Sequence, residues 1–203
     1  MTSPATSSDK SPYAGLLLAA GRSRRFGPAD KLLAPLEGPP LVTHAARALA
    51  ASGAAPLVAV VDSARVASLL PDFIIVQPGP EAPAQSASLK AGIARLRALG
   101  APAALIALGD MPRVTPALLN AVASLAADAP GQPTAATDGT QVMPPACFPA
   151  ALFSALEALT GDRGAGALLR DLPAGALVPA DPEILADVDR PEDLSRLAQQ
   201  GPI

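Results

Sequence analysis

Histidine and cysteine are almost missing from this sequence, which carries one of each, His44 and Cys147, in 203 residues. A lone cysteine excludes an intrachain disulfide and a multi-cysteine metal site. Its neighbours Ala146 and Phe148 mark it as a small buried residue rather than a reactive thiol. A lone histidine excludes a histidine dyad or a histidine-rich metal centre, and His44 falls in a helix-like segment where it packs or caps. Aromatic residues make up only 2%, with no tryptophan, so the core has to come from Ala, Leu and Val. An excess of one charge is missing too. Fifteen Lys+Arg against 18 Asp+Glu leave a formal charge of −3, which makes no electrostatic case for nucleic acid. Long apolar runs are also lacking: residues 2–12 are polar, with no basic region followed by an apolar stretch, and residues 16–20 are far too short to span a bilayer. A cytoplasmic protein with neither membrane nor nucleic acid among its partners is expected.

What is abundant is proline, with 24 residues, and alanine, which together suggest many short, punctuated elements. A chain of this length is by default one compact domain that buries roughly 70% of its unfolded surface. Residues 1–12, rich in Ser, Thr and Pro, are expected to be a disordered tail, leaving 13–203 as the domain. Short apolar runs at 14–20, 57–61, 73–76 and 103–108 read as buried strands. Between them, segments 41–51, 63–70 and 86–99 repeat apolar residues every three or four positions. This alternation predicts a single α/β domain with a mostly parallel, Rossmann-like twisted sheet and helices on both faces. Thr115-Pro116 then starts a helix, with Thr as N-cap and Pro at the first helical position, and Leu118, Leu119, Val122 and Leu125 supply its buried stripe. Further on, 134–137 and 141–147 read as strands around a turn at Asp138-Gly139. Segments 149–159 and 164–172 read as helices, 176–179 as a strand, and 192–199 as a closing helix behind Pro191.

The densest chemistry lies in Gly15-Leu-Leu-Leu-Ala-Ala-Gly-Arg-Ser-Arg-Arg-Phe-Gly-Pro-Ala-Asp-Lys31. An apolar strand ends in a glycine-containing loop that carries Arg22, Arg24, Arg25 and Lys31, four cations within ten residues of a slightly acidic protein. Backbone N–H groups at a glycine turn, with converging guanidinium and ammonium groups, suit a polyanionic phosphate chain. It is not a Walker loop, because Gly21 and Gly27 enclose five residues and Pro28 follows. It is not the dinucleotide fingerprint either, since Gly21-Arg22-Ser23 lacks the closely spaced second glycine. A merely solvated basic loop would not need glycines and cations in this order. A nucleoside triphosphate is the expected ligand.

This pattern resembles the signature of nucleotidyltransferases that open with Leu-Ala-Ala-Gly or Leu-Ala-Gly-Gly and run on to Arg-x-Gly and a Lys. Here Arg25, Gly27 and Lys31 match. Within that group the likeness is to the enzymes that attach CMP or GMP to molybdopterin, and it covers residues 14–197. The resemblance implies a fold of the nucleotidyltransferase type. It implies nucleotide binding by Leu18, Ala19, Ala20, Gly21 and Gly27, β- and γ-phosphate contacts from Arg25, and charge stabilisation at the α-phosphoryl group by Lys31.

Leu108-Gly109-Asp110-Met111-Pro112 follows a strand, and ligands of open parallel sheets sit beyond the strands' carboxyl ends. A carboxylate there can hold Mg²⁺ against phosphate oxygens or cap the next turn. The resemblance to the family's metal-binding motif assigns Asp110 as the main ligand. Asp187-Val188-Asp189-Arg190-Pro191-Glu192-Asp193-Leu194 resembles the family's closing motif. Alternation puts Asp187 and Asp189 on one side of an extended segment, with Asp189 favoured as the second Mg²⁺ ligand. Acids before a helix are favoured in any case, so a purely structural role stays open. Arg190 stands where the family often has Thr, which leaves N-capping to an acidic neighbour.

Gln85-Ser86-Ala87-Ser88-Leu89-Lys90-Ala91-Gly92 resembles the segment that receives base and ribose, implicating Ser86 and Ser88. Ser86 could equally be an ordinary N-cap, and Ala84 departs from the usual Gly. Gly161-Asp162-Arg163-Gly164-Ala165-Gly166 matches a run near the acceptor side and suits a second anion or a plain turn. Asp138-Gly139-Thr140-Gln141-Val142-Met143-Pro144-Pro145 lacks the family's Gly-x-Pro, so the acceptor is the least specified part.

The implied reaction is Mg²⁺-dependent transfer of CMP from CTP to the phosphate of molybdopterin, with release of pyrophosphate. The CTP preference rests on Ala20, where guanylyl enzymes more often have Gly. Two alternatives stand beside it: an enzyme of the same fold acting on a sugar, polyol or lipid phosphate, and a non-catalytic maturation factor that hands its cofactor to an apo-molybdoenzyme.

Overall fold

The computed structural model describes residues 11–21, 26, 30–79, 85–161 and 164–201. Almost all of the expected N-terminal tail, together with Arg22, Arg24, Arg25 and Gly27, lies outside them. Seven strands form one sheet: β1 (Ala14–Ala19), β2 (Leu57–Val61), β3 (Ile74–Val76), β4 (Ala103–Leu108), β5 (Thr134–Thr137), β6 (Val142–Pro149) and β7 (Leu177–Pro179). Their order across the sheet is β3-β2-β1-β4-β6-β5-β7. All neighbours are parallel except the pairs made by β6, which runs against both β4 and β5. The sheet is therefore mostly parallel, as the alternation of elements predicts.

Helices α1 (Leu41–Ala51), α2 (Ala64–Ala67), α3 (Gln85–Ala98), α4 (Pro116–Asp128), α5 (Phe153–Ala158) and α6 (Pro191–Gln200) complete the chain. Side chains on successive strand residues point to opposite faces. On β1, Leu17 and Ala19 face the cluster that includes Val42, Leu49, Leu119 and Val122 of α1 and α4. Ala14 and Leu16 face Leu89, Ile93, Phe153 and Leu156 of α3 and α5. Strands buried on both faces read as unbroken apolar runs, which is why the central strands are visible in the sequence.

Local chemistry explains both agreements and departures. Thr115 caps α4 by accepting the Leu118 N–H at 3.2 Å, and Pro116 opens the helix. Helix α2 is shorter than the expected 63–70, because after Ser68 the bonds become three-residue turns leading into Pro71. The expected helix at 164–172 is only a 3₁₀ turn, Ala165–Leu168, in keeping with its glycines and with Pro173 beyond. Strand β6 extends to Pro149, and its register against β5 jumps so that Ala135 faces Ala146 while Ala136 faces Met143. Pro144 and Pro145, which have no N–H for the ladder, fall in the skipped stretch.

A third, small cluster joins Leu36 and Leu41 to Val188 and Leu197, seating α6 on the body. Each such buried side chain contributes about 1.5–3 kcal/mol.

Candidate active site

Strand order reverses between β1 and β4: the chain leaves β1 toward β2 on one side and β4 lies on the other. Crevices open at such switch points beyond the carboxyl ends. The two exits touch. Leu18 pairs with Leu108, and the Gly109 N–H donates to the Leu18 carbonyl at 2.9 Å. A Cβ on Gly109 would come 3.0 Å from Ala19 Cβ and 3.3 Å from Val42 Cγ2, so the close approach needs glycine. This brings Ala20-Gly21 and Asp110 to one place.

Lys31 reaches the same place from a short 3₁₀ helix, Lys31–Leu33, whose first turn is capped by the Asp30 carboxylate accepting the Leu32 N–H. Its side chain is 11% exposed, and Nζ donates to Asp110 Oδ2 at 2.7 Å and to Asp189 Oδ1 at 3.1 Å. Burial by itself would lower the Lys31 pKa, but the charges and hydrogen bonds of Asp110 and Asp189 more than offset it and hold it above its ordinary value.

Asp189 is positioned by the segment before α6. The Val188 N–H donates to the Asp110 carbonyl at 2.9 Å, with Val188 fully buried. On the other side Asp193 Oδ2 accepts the N–H groups of Asp189 and Arg190 at 3.1 and 2.9 Å. Arg190 is the N-cap residue, and Asp193 in the first turn bonds back to its N–H. Asp187 is exposed at the rim, yet desolvation of its carboxyl and the charges of Asp110 and Asp189 push its pKa above the ordinary carboxylate value.

The donor set fits a divalent cation. Two hard carboxylate oxygens from separate elements already converge on one cation, the Lys31 ammonium, and Mg²⁺ uses one or two carboxylates with phosphates and water. Among the described residues no group of three or more His, Cys, Asp or Glu side chains has the arrangement of a self-sufficient metal site. A metal held by these two carboxylates would complete its shell with water or phosphate oxygens.

Among the described residues, the contacts between the start of α3 and the Gly21 exit are made by neutral groups. Ser86 and Ser88 are buried in the first turns of α3. Ser88 Oγ makes a long 3.5 Å contact to the Ala20 carbonyl, and the Ser86 N–H donates to the Gly161 carbonyl at 3.3 Å. The helix begins at Gln85, so Ser86 sits inside its first turn rather than capping it. Helix α3 can lie this close because a Cβ on Gly92 would meet Leu16 Cδ1 at 2.6 Å. Of the proposed site residues, Lys31, Asp110 and Asp189 are joined directly, the Leu18 carbonyl receives the Gly109 N–H beside Asp110, and Ser88 reaches the Ala20 carbonyl, whereas Ala19 packs in the core and Ser86 bonds to Gly161. Arg25 and Gly27 lie outside the described residues.

Two single residues resolve as expected. His44 Nε2 lies 3.0 Å from the Leu36 carbonyl, a structural bond. Cys147 is buried, and burial pushes its thiol up to about 12.

Arg113 is the residue that sequence reasoning missed. Its side chain is 8% exposed and lies 3.6 Å from the Glu183 carboxylate. It donates to the carbonyls of Leu197 and Gly201, each at 2.8 Å. Helix α6 has no basic residue in its own last turn, so this cation from the loop after Asp110 serves its C-terminus. Both ends of α6 are therefore fastened to residues 109–113. The available signal was faint: a cation three residues beyond a functional Asp.

Comparison with known proteins identifies the family and supports the fold. Residues 15–177 match the family described as MobA-like NTP transferase domain. The chain is 32% identical over 202 residues to the purine catabolism protein PucB of Bacillus subtilis, covering 91% of this chain and 95% of that protein. It is 30% identical to the molybdenum cofactor guanylyltransferase of Pseudomonas fluorescens, over 91% of this chain and 92% of that one. Among solved structures, Rv0371c from Mycobacterium tuberculosis superposes with a TM-score of 0.77 at 27% identity, covering 92% and 98% of the two chains. A complex of the same protein with manganese gives 0.76 at 25% identity, covering 93% of this chain and 98% of that one.

Proposed function

From the premise that this chain belongs to the MobA-like NTP transferase family, we propose that it transfers CMP from CTP to the terminal phosphate of molybdopterin. The observation that carries the reading is the meeting of Lys31, Asp110 and Asp189 beside the Gly21 exit of β1. In the proposed reaction an oxygen of the acceptor phosphate attacks the α-phosphorus. The new O–P bond forms as the bond from the α-phosphorus to the bridging oxygen breaks, and pyrophosphate leaves with that electron pair. A phosphate nucleophile is anionic at neutral pH, so no strong general base is needed. The one histidine is occupied by the Leu36 carbonyl.

What remains for the protein is positioning and charge neutralisation. Asp110 and Asp189 would hold Mg²⁺, which would offset phosphate charge when bound. Arg25 and the backbone around Gly21 hold the β- and γ-phosphates, and Lys31 meets charge developing at the α-phosphoryl group. Ser86 and Ser88 line the base and ribose side, with Leu18, Ala19 and Ala20 forming its floor. The turn from Gly161, adjoining α3, lies on the acceptor side. The manganese complex of Rv0371c supports a divalent metal in such a site. The name of the Pseudomonas relative supports a molybdenum-cofactor acceptor and favours GTP, whereas Ala20 favours CTP. The reading places the enzyme in the cytoplasm, supplying an apo-molybdoenzyme, and no helix among the described residues is long and apolar enough to cross a membrane.

Pyrophosphate release tests it, using the purified protein with Mg²⁺, CTP or GTP, and molybdopterin. Release that depends on both nucleotide and molybdopterin is the expected result. Release with a sugar or polyol phosphate instead would move the acceptor to the second class, and no release with any acceptor would leave a carrier of the finished cofactor.

A further inference from the structure

We propose that Lys31 and the divalent cation are alternative occupants of one site, so that metal loading waits until the nucleotide draws the Lys31 ammonium away. The inference rests on the reading of Asp110 and Asp189 as metal ligands and adds an order of events to it. The same two oxygens, Asp110 Oδ2 and Asp189 Oδ1, already receive hydrogen bonds from Nζ at 2.7 and 3.1 Å. Mg²⁺ bonds a carboxylate oxygen at about 2.1 Å, so an ion on Asp110 Oδ2 would lie under about 5 Å from Nζ where it now stands. Little water is available to screen that repulsion, because the Lys31 side chain is only 11% exposed.

Two carboxylate oxygens grip the ammonium, at 2.7 and 3.1 Å. The ammonium has to move as a charge, and it needs an anion to move to. A triphosphate entering at Gly21 provides one. Only the side chain has to swing, since the backbone around Lys31 is pinned by the Asp30 cap and by the buried Leu32.

The test is Mn²⁺ binding followed by the electron paramagnetic resonance signal of free Mn²⁺, with no nucleotide present. Wild type should bind Mn²⁺ alone weakly. Lys31→Met should bind it at least about tenfold more tightly, the scale of losing a competing charged hydrogen bond. Lys31→Arg, which keeps the charge, should stay near wild type. A thermal melt confirms that each variant is folded, and Lys31→Gln replaces Lys31→Met if the latter is not. Lys31→Met binding Mn²⁺ alone no better than wild type overturns the exchange. Adding Asp110→Asn to Lys31→Met should abolish the gain. If the double variant still binds tightly, the ion is not at these carboxylates and the metal assignment itself fails.

Discussion

The crevice beyond β1 has two unlike walls. On the α6 side three carboxylates and a buried ammonium come from three separate places in the chain, and Lys31 ties Asp110 to Asp189 by charged hydrogen bonds. On the α3 side the described contacts are made by neutral hydroxyls and backbone groups, brought near by the missing side chain of Gly92. On the proposed reading, the first wall would meet the charge that develops during nucleotidyl transfer, and the second would distinguish one nucleotide from another through shape. Substitutions on the charged wall should therefore change rate, and those on the neutral wall should change preference.

The sharpest way to break that distinction is to remove charge from the first wall. Lys31→Ala should lower the transfer rate on the order of 10²-fold or more while the fold persists. Asp110→Asn should collapse metal-dependent activity similarly, Asp189→Asn more weakly, and Asp187→Asn less still. Initial rates of pyrophosphate release measure the series, and equal, negligible effects at the three Asp positions would defeat the two-carboxylate site.

Arg113 tests whether the charged wall depends on its remote fastening. Arg113→Gln strips two charge-assisted bonds from the end of α6 and should cost about 1.5–3 kcal/mol of stability in urea unfolding. Unchanged stability would mean that α6 is held by the Leu36, Leu41, Val188 and Leu197 cluster alone.

The neutral wall should respond in preference. Wild type is expected to favour CTP over GTP by roughly ten- to two-hundredfold, the scale of one methylene-sized difference in a pocket. Ala20→Gly should relax the bias without raising GTP use to the level of CTP, because Ser86 and Ser88 remain. Paired rates with the two nucleotides decide it, and a wild-type preference for GTP would align the chain with its Pseudomonas relative.

The smallest effects are in pH dependence. The Lys31 pKa is raised above its ordinary 10.5 in the fold, so its stabilisation is complete below that value and is lost as pH rises through the folded pKa. Melting curves in alkali should show a steeper fall for wild type than for Lys31→Met. Asp187 is raised as well, so its ionisation opposes folding at neutral pH and the opposition fades as pH falls through the folded pKa. Asp187→Asn should slightly raise the neutral melting temperature and lose that advantage in acid.

How far the molecule is legible from its residues follows the same division. The parallel half of the sheet is plain because buried strands and amphipathic helices alternate, and β2, β4 and α1 have their expected ends. Residues 149–172 are harder, since glycine and proline turn apparent helices into 3₁₀ turns and a short α5. Lys31 and Asp110 are marked by motif and by position at strand exits, but their direct pairing is not, because nothing local to either residue specifies it. Arg113 is invisible for the same reason: its partners, Leu197 and Gly201, are backbone carbonyls, which carry no side-chain signature.

The Lys31 ammonium joins Asp110, 79 positions later, to Asp189, 158 positions later. Contacts of such long range are made only after the intervening chain has been closed into place, at an entropic cost that slows folding. The charged wall is accordingly a late-forming feature. Helices arise from near neighbours, while the Lys31–Asp189 contact spans more of the chain than the pairing of β1 with β4 and comes into being when α6 docks. In a refolding reaction, catalytic competence should trail the recovery of secondary structure, reporting the last event of folding rather than the first.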